Sequence, residues 1–260
     1  LADRLKCSKR KAKSLLDRRS IFVNRQRVWM ARHSLEFGDK VEVQSRLGTQ
    51  ANRKGTIKIL YQHAGVLVAD KPPGMLAQGK RSAEVRLRSQ LKTTYVQAVH
   101  RLDRHTSGCL MFALDADMRE RLVDLFKDRE IGKEYYAIVH GRYPNERDAI
   151  KKRVAGKSAL TRVNVFDANK NASLLSCRIE TGRTHQIRKH LESVGHPVVG
   201  DKEHGRKIVE SKLIRSIPRQ MLHARRLEFT HPRTSAQVAC TAAAPADFIN
   251  AAESLRLRIV

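Results

Sequence analysis

The sequence lacks long apolar runs, paired cysteines, glycine-rich nucleotide fingerprints and metal-ligand clusters. No stretch is long or apolar enough for a membrane span or the core of a signal peptide, so we expect neither. The absence of a dinucleotide fingerprint or phosphate-cradling loop argues against a redox or nucleotide cofactor. The cysteines show no paired spacing, which favours reduced thiols over a disulfide framework or a zinc site. They are Cys7, Cys109, Cys177 and Cys240.

Acidic residues are scarce relative to basic ones. The 260 residues include 52 Lys and Arg against 26 Asp and Glu, a formal net charge of +26. Such an excess is typical of proteins that bind nucleic acid. A merely basic soluble protein is the alternative. A membrane-surface protein is disfavoured because no amphipathic anchor accompanies the charge.

Residues 1–45 form a distinct basic segment. Their order of features is a short basic helix over 9–19, a strand over 21–24 and a turn with a closing strand over 37–43. This order resembles the S-four-type RNA-binding module, and an ordinary basic helical hairpin is the alternative. Residues 46–56 are polar and aperiodic, which is typical of a linker. The predicted RNA contacts in this module are Lys9, Arg10, Lys13, Arg18 and Arg25.

Residues 57–260 are dominated by strand-like runs, with two amphipathic helices around Met118–Phe126 and Ile187–Val194. Many strands with few helices predict an α+β domain with a mainly antiparallel mixed sheet. The predicted strands are 57–60, 66–69, 109–113, 135–139, 160–166, 174–179, 226–229 and 237–241.

A single carboxylate, Asp103, lies among basic residues in the segment His100–Gly108. Neighbouring positive charge favours the ionised carboxylate. Such a group is a poor general acid but a usable nucleophile or electrostatic partner. A structural Asp that caps a turn or forms a salt bridge is the alternative.

Several ordered motifs resemble the signatures of RluA-type RNA pseudouridine synthases. The resemblance covers roughly residues 57–250 and implies the pseudouridine synthase fold for 57–260. It also implies an isomerase that acts on uridine in RNA. The motifs are Lys71–Gly74, His100–Gly108, Lys133–Ala137, Thr181–Arg188, Leu222–Ala224, Thr230–Pro232 and Ala244–Phe248.

The resemblance assigns catalytic roles to Asp103, Tyr135 and Arg188. Asp103 would help to cleave the base–sugar bond, either through a covalent adduct or through a glycal, and neither route needs a cofactor or metal. Tyr135 would stack on the flipped base, and its hydroxyl could move a proton at carbon 5. Tyr136 would point to the opposite face of the strand. The alternative, an ordinary sheet residue, suits Tyr136 better. Arg188 would hold Asp103 through a bidentate bond, with a phosphate contact as the alternative.

Four further basic residues are assigned to RNA binding. Arg101 would help to open the RNA by filling the space of the flipped base. Arg183 would contact the RNA backbone or support its loop, and Arg104 and Lys71 complete the set. The segment between Gly141 and Thr161 is short for the family, which leaves the substrate preference open.

The histidines His185, His190 and His196 are close in sequence but do not predict a metal site. Positions 185 and 190 are five apart, whereas two ligands on one helix face are four apart, and no thiolate or carboxylate set completes the site. Structural or RNA-facing roles are the better interpretation.

The sequence therefore predicts an RNA pseudouridine synthase. Large-subunit rRNA is the preferred substrate prediction, and tRNA is the next. A non-catalytic RNA-binding or ribosome-assembly factor is the first alternative. A glycosylase is disfavoured because no second carboxylate is predicted to activate water. We also expect a monomer in the cytoplasm, with a mitochondrion or plastid as the alternative location.

Overall fold

The computed structural model describes residues 21–24, 26–28, 36, 38–43, 55–205, 214 and 216–259. The chain divides into two compact units, Leu1–Ala51 and Asn52–Val260. The division falls within residues 46–56, the segment whose composition is typical of a linker.

The first unit contains a three-stranded antiparallel sheet of β1 (Ile21–Val23), β2 (Gln26–Val28) and β3 (Val41–Val43), in the order β2-β1-β3. Strands were predicted at 21–24 and in 37–43. Asn24 ends β1 in a left-handed conformation (φ 49°). Its side chain donates to Asp39 at 2.6 Å and accepts from the backbone N–H of Lys40 at 3.0 Å. The predicted helix 9–19 lies outside the described residues, as do Lys9, Arg10, Lys13, Arg18 and Arg25.

The second unit is built on a ten-stranded mixed sheet. Its path is β4-β5-β7-β12-β8-β11-β10-β9, while β13 pairs with β12 and β6 pairs with β7. Among the described strands of this sheet, β7 and β12 pair in parallel and the other pairs are antiparallel. The strands are β4 (Lys58–His63), β5 (Val66–Lys71), β6 (Gln97–Ala98), β7 (Ser107–Ala113), β8 (Gly132–His140), β9 (Arg147–Lys151), β10 (Leu160–Ala168), β11 (Ala172–Ile179), β12 (Leu222–Thr230) and β13 (Gln237–Thr241).

Among the described residues, the four helices whose bounds are defined are α1 (Ala83–Leu91), α2 (Ala116–Lys127), α3 (Gln186–Ser193) and α4 (Ala246–Ser254). The predicted α+β class is confirmed. Helices α2 and α3 were predicted, but α1, α4 and the edge strand β9 were not. The arginines of α1 obscure its apolar face, although Ser82 caps its first turn through a bond from the Val85 N–H. No helix within the described ranges has the length and apolar character needed to cross a bilayer.

Strand β8 separates two parts of the core. Tyr135 packs in a cluster with Leu102 and Ile187, whereas Tyr136 packs on the other side with Phe248. This alternation confirms that the two tyrosines face opposite sides of the sheet. It places Tyr135 on the side of the sheet that carries α3 and the Asp103 segment.

The described cysteines are buried and free. They are Cys109, Cys177 and Cys240. Burial raises the pKa of the Cys177 thiol to about 12. Because these three thiols are buried and their pKa values are raised, they are unreactive groups of the core.

Gly108 allows β7 and β12 to approach in the parallel pair that carries the Asp103 segment. Its φ is +109°, and a Cβ there would lie 2.1 Å from the carbonyl oxygen of Ala224. We expect Gly108→Ala to lower the free energy of unfolding by about 2–4 kcal/mol, because it adds both backbone strain and a backbone clash. Urea unfolding tests this, with Gly182→Ala as the control because that site is open. Equal stability of the two variants would contradict the clash.

A buried histidine on β12 should make stability depend on pH. His223 Nε2 lies 3.1 Å from the Ala242 carbonyl and Nδ1 lies 3.0 Å from Ser107 Oγ, an arrangement suited to the neutral ring. Burial lowers the pKa of His223 to about 4. Because the unfolded ring binds a proton near pH 6.5, stability is complete above that pH and falls as the pH drops towards 4.

Wild type should lose about 2 kcal/mol of unfolding free energy between pH 7 and pH 4.5 that His223→Gln does not lose. Urea unfolding at both pH values measures the difference. A parallel pH dependence in the two proteins would show that His223 is protonated in the folded state as readily as in the unfolded chain.

Candidate active site

Asp103 lies in the segment between β6 and β7, and its backbone is held by two elements. Its own carbonyl accepts the Thr106 N–H at 3.0 Å. The adjacent Arg104 carbonyl accepts the Gly74 N–H at 2.8 Å and the Lys71 ammonium at 3.2 Å. The Asp103 side chain is 19% exposed. The carboxylate is thus fixed by its backbone but open to a ligand.

Arg188 connects Asp103 to two further carboxylates. It lies in the first turn of α3 and its side chain is 5% exposed. Nη1 donates to Asp103 at 3.1 Å, and Nη2 donates to Glu203 at 3.0 Å. Nε and Nη2 donate to the two oxygens of Asp201 at 2.5 and 2.8 Å.

The predicted contact between Arg188 and Asp103 is present, but its bidentate form is wrong. The bidentate pair is with Asp201, and a single N–H reaches Asp103. The planar guanidinium holds its five N–H donors in a fixed geometry. Because Nε and Nη2 bind Asp201, only Nη1 is left to donate to Asp103. Asp103 therefore keeps one oxygen free of this arginine.

The charges of this cluster stabilise one another. Burial acts to lower the pKa of Arg188, but hydrogen bonds and charge from Asp201 and charge from Asp103 outweigh it and raise that pKa. Burial acts to raise the pKa of Asp201, but the Arg188 contact and the backbone N–H groups of Glu203 and His204 lower it. A buried charge without such partners would be strongly destabilising.

Among the described residues, Gln220 and His185 also lie near Asp103. Gln220 Nε2 lies 3.5 Å from Asp103 Oδ2 and donates to Thr106 Oγ1 at 2.9 Å. His185 Nε2 lies 3.6 Å from Asp103 Oδ1. Burial lowers the pKa of His185, against the effect of the Asp103 charge. Gln220 was not predicted, and the signal for it in the sequence is its position just before the Leu222–Ala224 motif.

Tyr135 is buried near Asp103. Burial, and then the charge of Asp103, raise the pKa of its phenol well above the usual range. The hydroxyl therefore keeps its proton at neutral pH and is a donor or an apolar platform rather than a base. A neutral phenol of this kind is better suited to contact with a nucleobase than to abstraction of a proton.

The arginines predicted to bind RNA differ in their surroundings. Arg101 and Arg104 are exposed on either side of Asp103, and Arg104 Nε donates to the Gly74 carbonyl at 3.1 Å. Arg183 is half-buried beside the start of α3, and its buried Nε has no hydrogen-bond partner within the described part of the chain. Arg101 and Arg104 are thus placed to meet a polyanion.

The structure corrects the assignment of Lys71 to RNA binding. Its side chain is fully buried, and its ammonium donates to the carbonyls of Pro72, Met75 and Arg104 at 3.1, 2.8 and 3.2 Å. Burial, and then the charge of Arg219, lower the pKa of Lys71 to about 7, against Asp103 and Asp70. Lys71 therefore links the 72–75 segment to the backbone of Arg104, the residue that follows Asp103.

His100, the first residue of the Asp103 motif, is structural. Its Nε2 accepts the Met111 N–H at 3.0 Å, and its ring stacks on Phe126 at 4.6 Å. Burial lowers the pKa of His100 to about 3. The ring is therefore a neutral acceptor that anchors the segment to β7 and α2.

The structure separates the histidines that are close in sequence. His190 Nε2 contacts the Lys152 carbonyl at 3.1 Å, and His196 Nδ1 contacts the His140 carbonyl at 2.8 Å. His185 instead meets His204, with Nδ1 and Nε2 3.2 Å apart. The structure thus holds His190 and His196 against backbone carbonyls and places His185 beside His204.

The fold and the site define an α+β enzyme in which a partly exposed carboxylate, Asp103, is ordered by a buried arginine that also binds Asp201 and Glu203. A family model described as RNA pseudouridylate synthase matches residues 65–193. The ribosomal large subunit pseudouridine synthase D of Xanthomonas campestris is 31% identical, over 86% of this chain and 78% of that protein. The uncharacterized RNA pseudouridine synthase YhcT of Bacillus subtilis is 30% identical, over 95% of this chain and 88% of that protein.

A solved structure agrees on the fold. Human RNA pseudouridylate synthase domain containing 4 matches with a TM-score of 0.65 at 22% identity, over 78% of this chain and 94% of that one. The chain belongs to the RNA pseudouridylate synthase family, of the RluA type. It is an isomerase that forms pseudouridine in RNA. The predicted fold, family and activity are thus confirmed.

Proposed function

We propose that this enzyme isomerises uridine in large-subunit ribosomal RNA, with Asp103 acting at the sugar carbon that bears the base. The observation that carries the catalytic assignment is the 3.1 Å bond from Arg188 Nη1 to Asp103 Oδ2, which orients a carboxylate whose side chain is still 19% exposed. The relatives named ribosomal large subunit pseudouridine synthase D support the choice of RNA.

The reaction needs no external electrons. The bond between the sugar and N1 breaks, and a bond between the sugar and C5 forms. C5 then loses its proton and N1 gains one, so the atoms balance. Asp103 would assist the first step as a nucleophile or as a base on the sugar, and both routes stay open. Either route needs a carboxylate close to the ribose and a dry, ordered site around it.

Three residues would prepare the nucleotide for this step. Arg101, exposed beside Asp103, would enter the stack as the uridine leaves it, which offsets part of the unstacking cost. Tyr135 would lie against the everted base. Arg104 would meet a flanking phosphate.

The substrate proposal can be tested with unmodified transcripts of large-subunit rRNA, small-subunit rRNA and tRNA. After incubation with the enzyme, pseudouridines are mapped by carbodiimide adducts and primer extension. New stops in the large-subunit transcript alone are expected. Stops in tRNA alone would contradict the substrate, and tight binding without stops in any RNA would favour the assembly-factor alternative.

We infer that residues 1–45 form an S-four-type module that adds RNA affinity. The support is the basic composition, with twelve Lys and Arg against five acids, and the three-stranded sheet that ends this segment. Positive charge on such a module would release counterions when it binds phosphates. The cytoplasmic location and the monomeric state stay predictions.

Replacing Lys9, Arg10 and Lys13 by Gln in the full chain should weaken RNA binding and flatten its salt dependence. If the three residues meet phosphates, the slope of log K against log salt should fall by about 2. Filter binding from low to moderate salt measures this slope. The matched control replaces Lys170, Arg256 and Arg258, which also removes three positive charges. Equal slopes in both variants would remove the anchoring role.

A further inference from the structure

We propose that His185, Glu203 and His204 form a binding site for a transition-metal dication of the zinc type. The three residues lie beside Asp103 but are not needed for the isomerisation proposed above. The proposal is independent of the RNA substrate, because it concerns a ligand that binds the protein alone.

The ligand atoms are already arranged for a metal. His185 Nδ1 lies 3.2 Å from His204 Nε2 and 3.4 Å from Glu203 Oε1, and His204 Nε2 lies 3.7 Å from Glu203 Oε1. In a tetrahedral zinc site with bonds near 2.0–2.1 Å, ligand atoms are about 3.3 Å apart. The three atoms thus form one face of such a tetrahedron with little movement.

His204 and Glu203 are each oriented by a hydrogen bond to a second group, while His185 faces a more distant carboxylate. His204 Nδ1 lies 3.0 Å from Glu192 Oε2, and His185 Nε2 lies 3.6 Å from Asp103 Oδ1. Metal-binding imidazoles commonly place their other nitrogen against a carboxylate in this way, which fixes the ring and strengthens the ligand. The second oxygen of Glu203 accepts from Arg188 at 3.0 Å, so Oε1 is left for the ion.

The backbone holds the ligands in place before any ion binds. His185 precedes α3 in a left-handed conformation (φ 57°). The Glu203 and His204 N–H groups both donate to Asp201 Oδ1, at 3.0 and 3.1 Å. Asp201 is in turn paired with Arg188. A turn fixed in this way reduces the cost of assembling the site.

The chemistry of the ligands selects the ion. Two imidazoles and one carboxylate are a donor set of catalytic zinc sites, whereas Ca²⁺ and Mg²⁺ prefer oxygen ligands. The Glu203 side chain is 58% exposed, so the fourth position faces solvent and would hold water. The site is therefore an open zinc-type site that an ion can enter from solution.

Titration of the tag-free, chelator-treated full chain with Zn²⁺ tests the proposal. Calorimetry should show one saturable site per chain, and Co²⁺ should give the visible absorption of tetrahedral coordination. Zn²⁺ at about 100 times its Kd should raise the unfolding midpoint by about 5 °C. Absence of a saturable site, or octahedral Co²⁺ absorption, would overturn the proposal.

Variants assign the site to its ligands. Glu203→Gln and His204→Phe should each weaken Zn²⁺ binding at least 100-fold, and Glu192→Gln about 10–100-fold through its support of His204. His63→Asn, which removes an exposed histidine elsewhere, should bind as wild type does. If His204→Phe does not fold, the exposed Glu203→Gln carries the test. Unchanged affinity in Glu203→Gln would place the ion elsewhere.

Discussion

Asp103→Asn is expected to reduce pseudouridine formation by about 10⁴-fold or more while leaving RNA binding within about twofold of wild type. The amide is nearly the same shape and can still accept the Arg188 N–H, so the fold is preserved. It cannot supply the negative charge that the base–sugar cleavage needs. Single-turnover assays on the proposed rRNA substrate measure the loss, and filter binding measures the affinity.

The control for Asp103 is Asp124→Asn, which also removes one acidic charge. Asp124 is exposed and pairs only with Lys127 in its described contacts, at 2.6 Å. The activity of the Asp124→Asn variant should equal that of wild type, because an exposed ion pair contributes little to the stability of the fold. A second variant, Asp103→Ala, guards against slow conversion of the amide back to the acid. Substantial turnover by both Asp103 variants would remove this residue from the mechanism.

Arg188→Met should have the second-largest effect, on both stability and activity. It leaves the carboxylate of Asp201 buried without its cation, which costs about 3–5 kcal/mol of unfolding free energy. It also frees Asp103 to rotate, and a misplaced catalytic group lowers the rate about 10²-fold. Urea unfolding measures the loss of stability. Single-turnover kinetics, at a temperature at which the variant is still folded, measure the loss of activity.

A double variant separates the structural role of Arg188 from its positioning role. Adding Asp201→Asn to Arg188→Met removes the unpaired buried charge, so part of the lost stability should return. Activity should stay low, because nothing replaces the donor to Asp103. Arg178→Met, which breaks a more exposed pair with Glu134, is the matched control. Recovery of activity together with stability would show that Arg188 acts only through folding.

Most of the strands and two of the four described helices followed from local sequence patterns, whereas the short strands β2, β6 and β9 were not predicted. Alternation along β8 correctly separated Tyr135 from Tyr136, because successive side chains of a strand face opposite sides. Helix α1 was missed because Arg86 and Arg88 interrupt its apolar stripe, so packing rather than pattern stabilises it. The edge strand β9 was missed because its burial is slight and its partner β10 supplies the hydrogen bonds.

The sequence by itself determined the family and the sheet-rich fold and singled out Asp103 as the candidate carboxylate, since ordered motifs and strand periodicity are local properties. The tertiary structure alone decided how the site is built. Arg188 meets Asp103 across 85 residues of chain and Gln220 meets it across 117. Lys71 was predicted to bind RNA, but it is buried and donates to backbone carbonyls. The fold also places His204 beside His185. No local pattern encodes such meetings, because they depend on how distant elements pack.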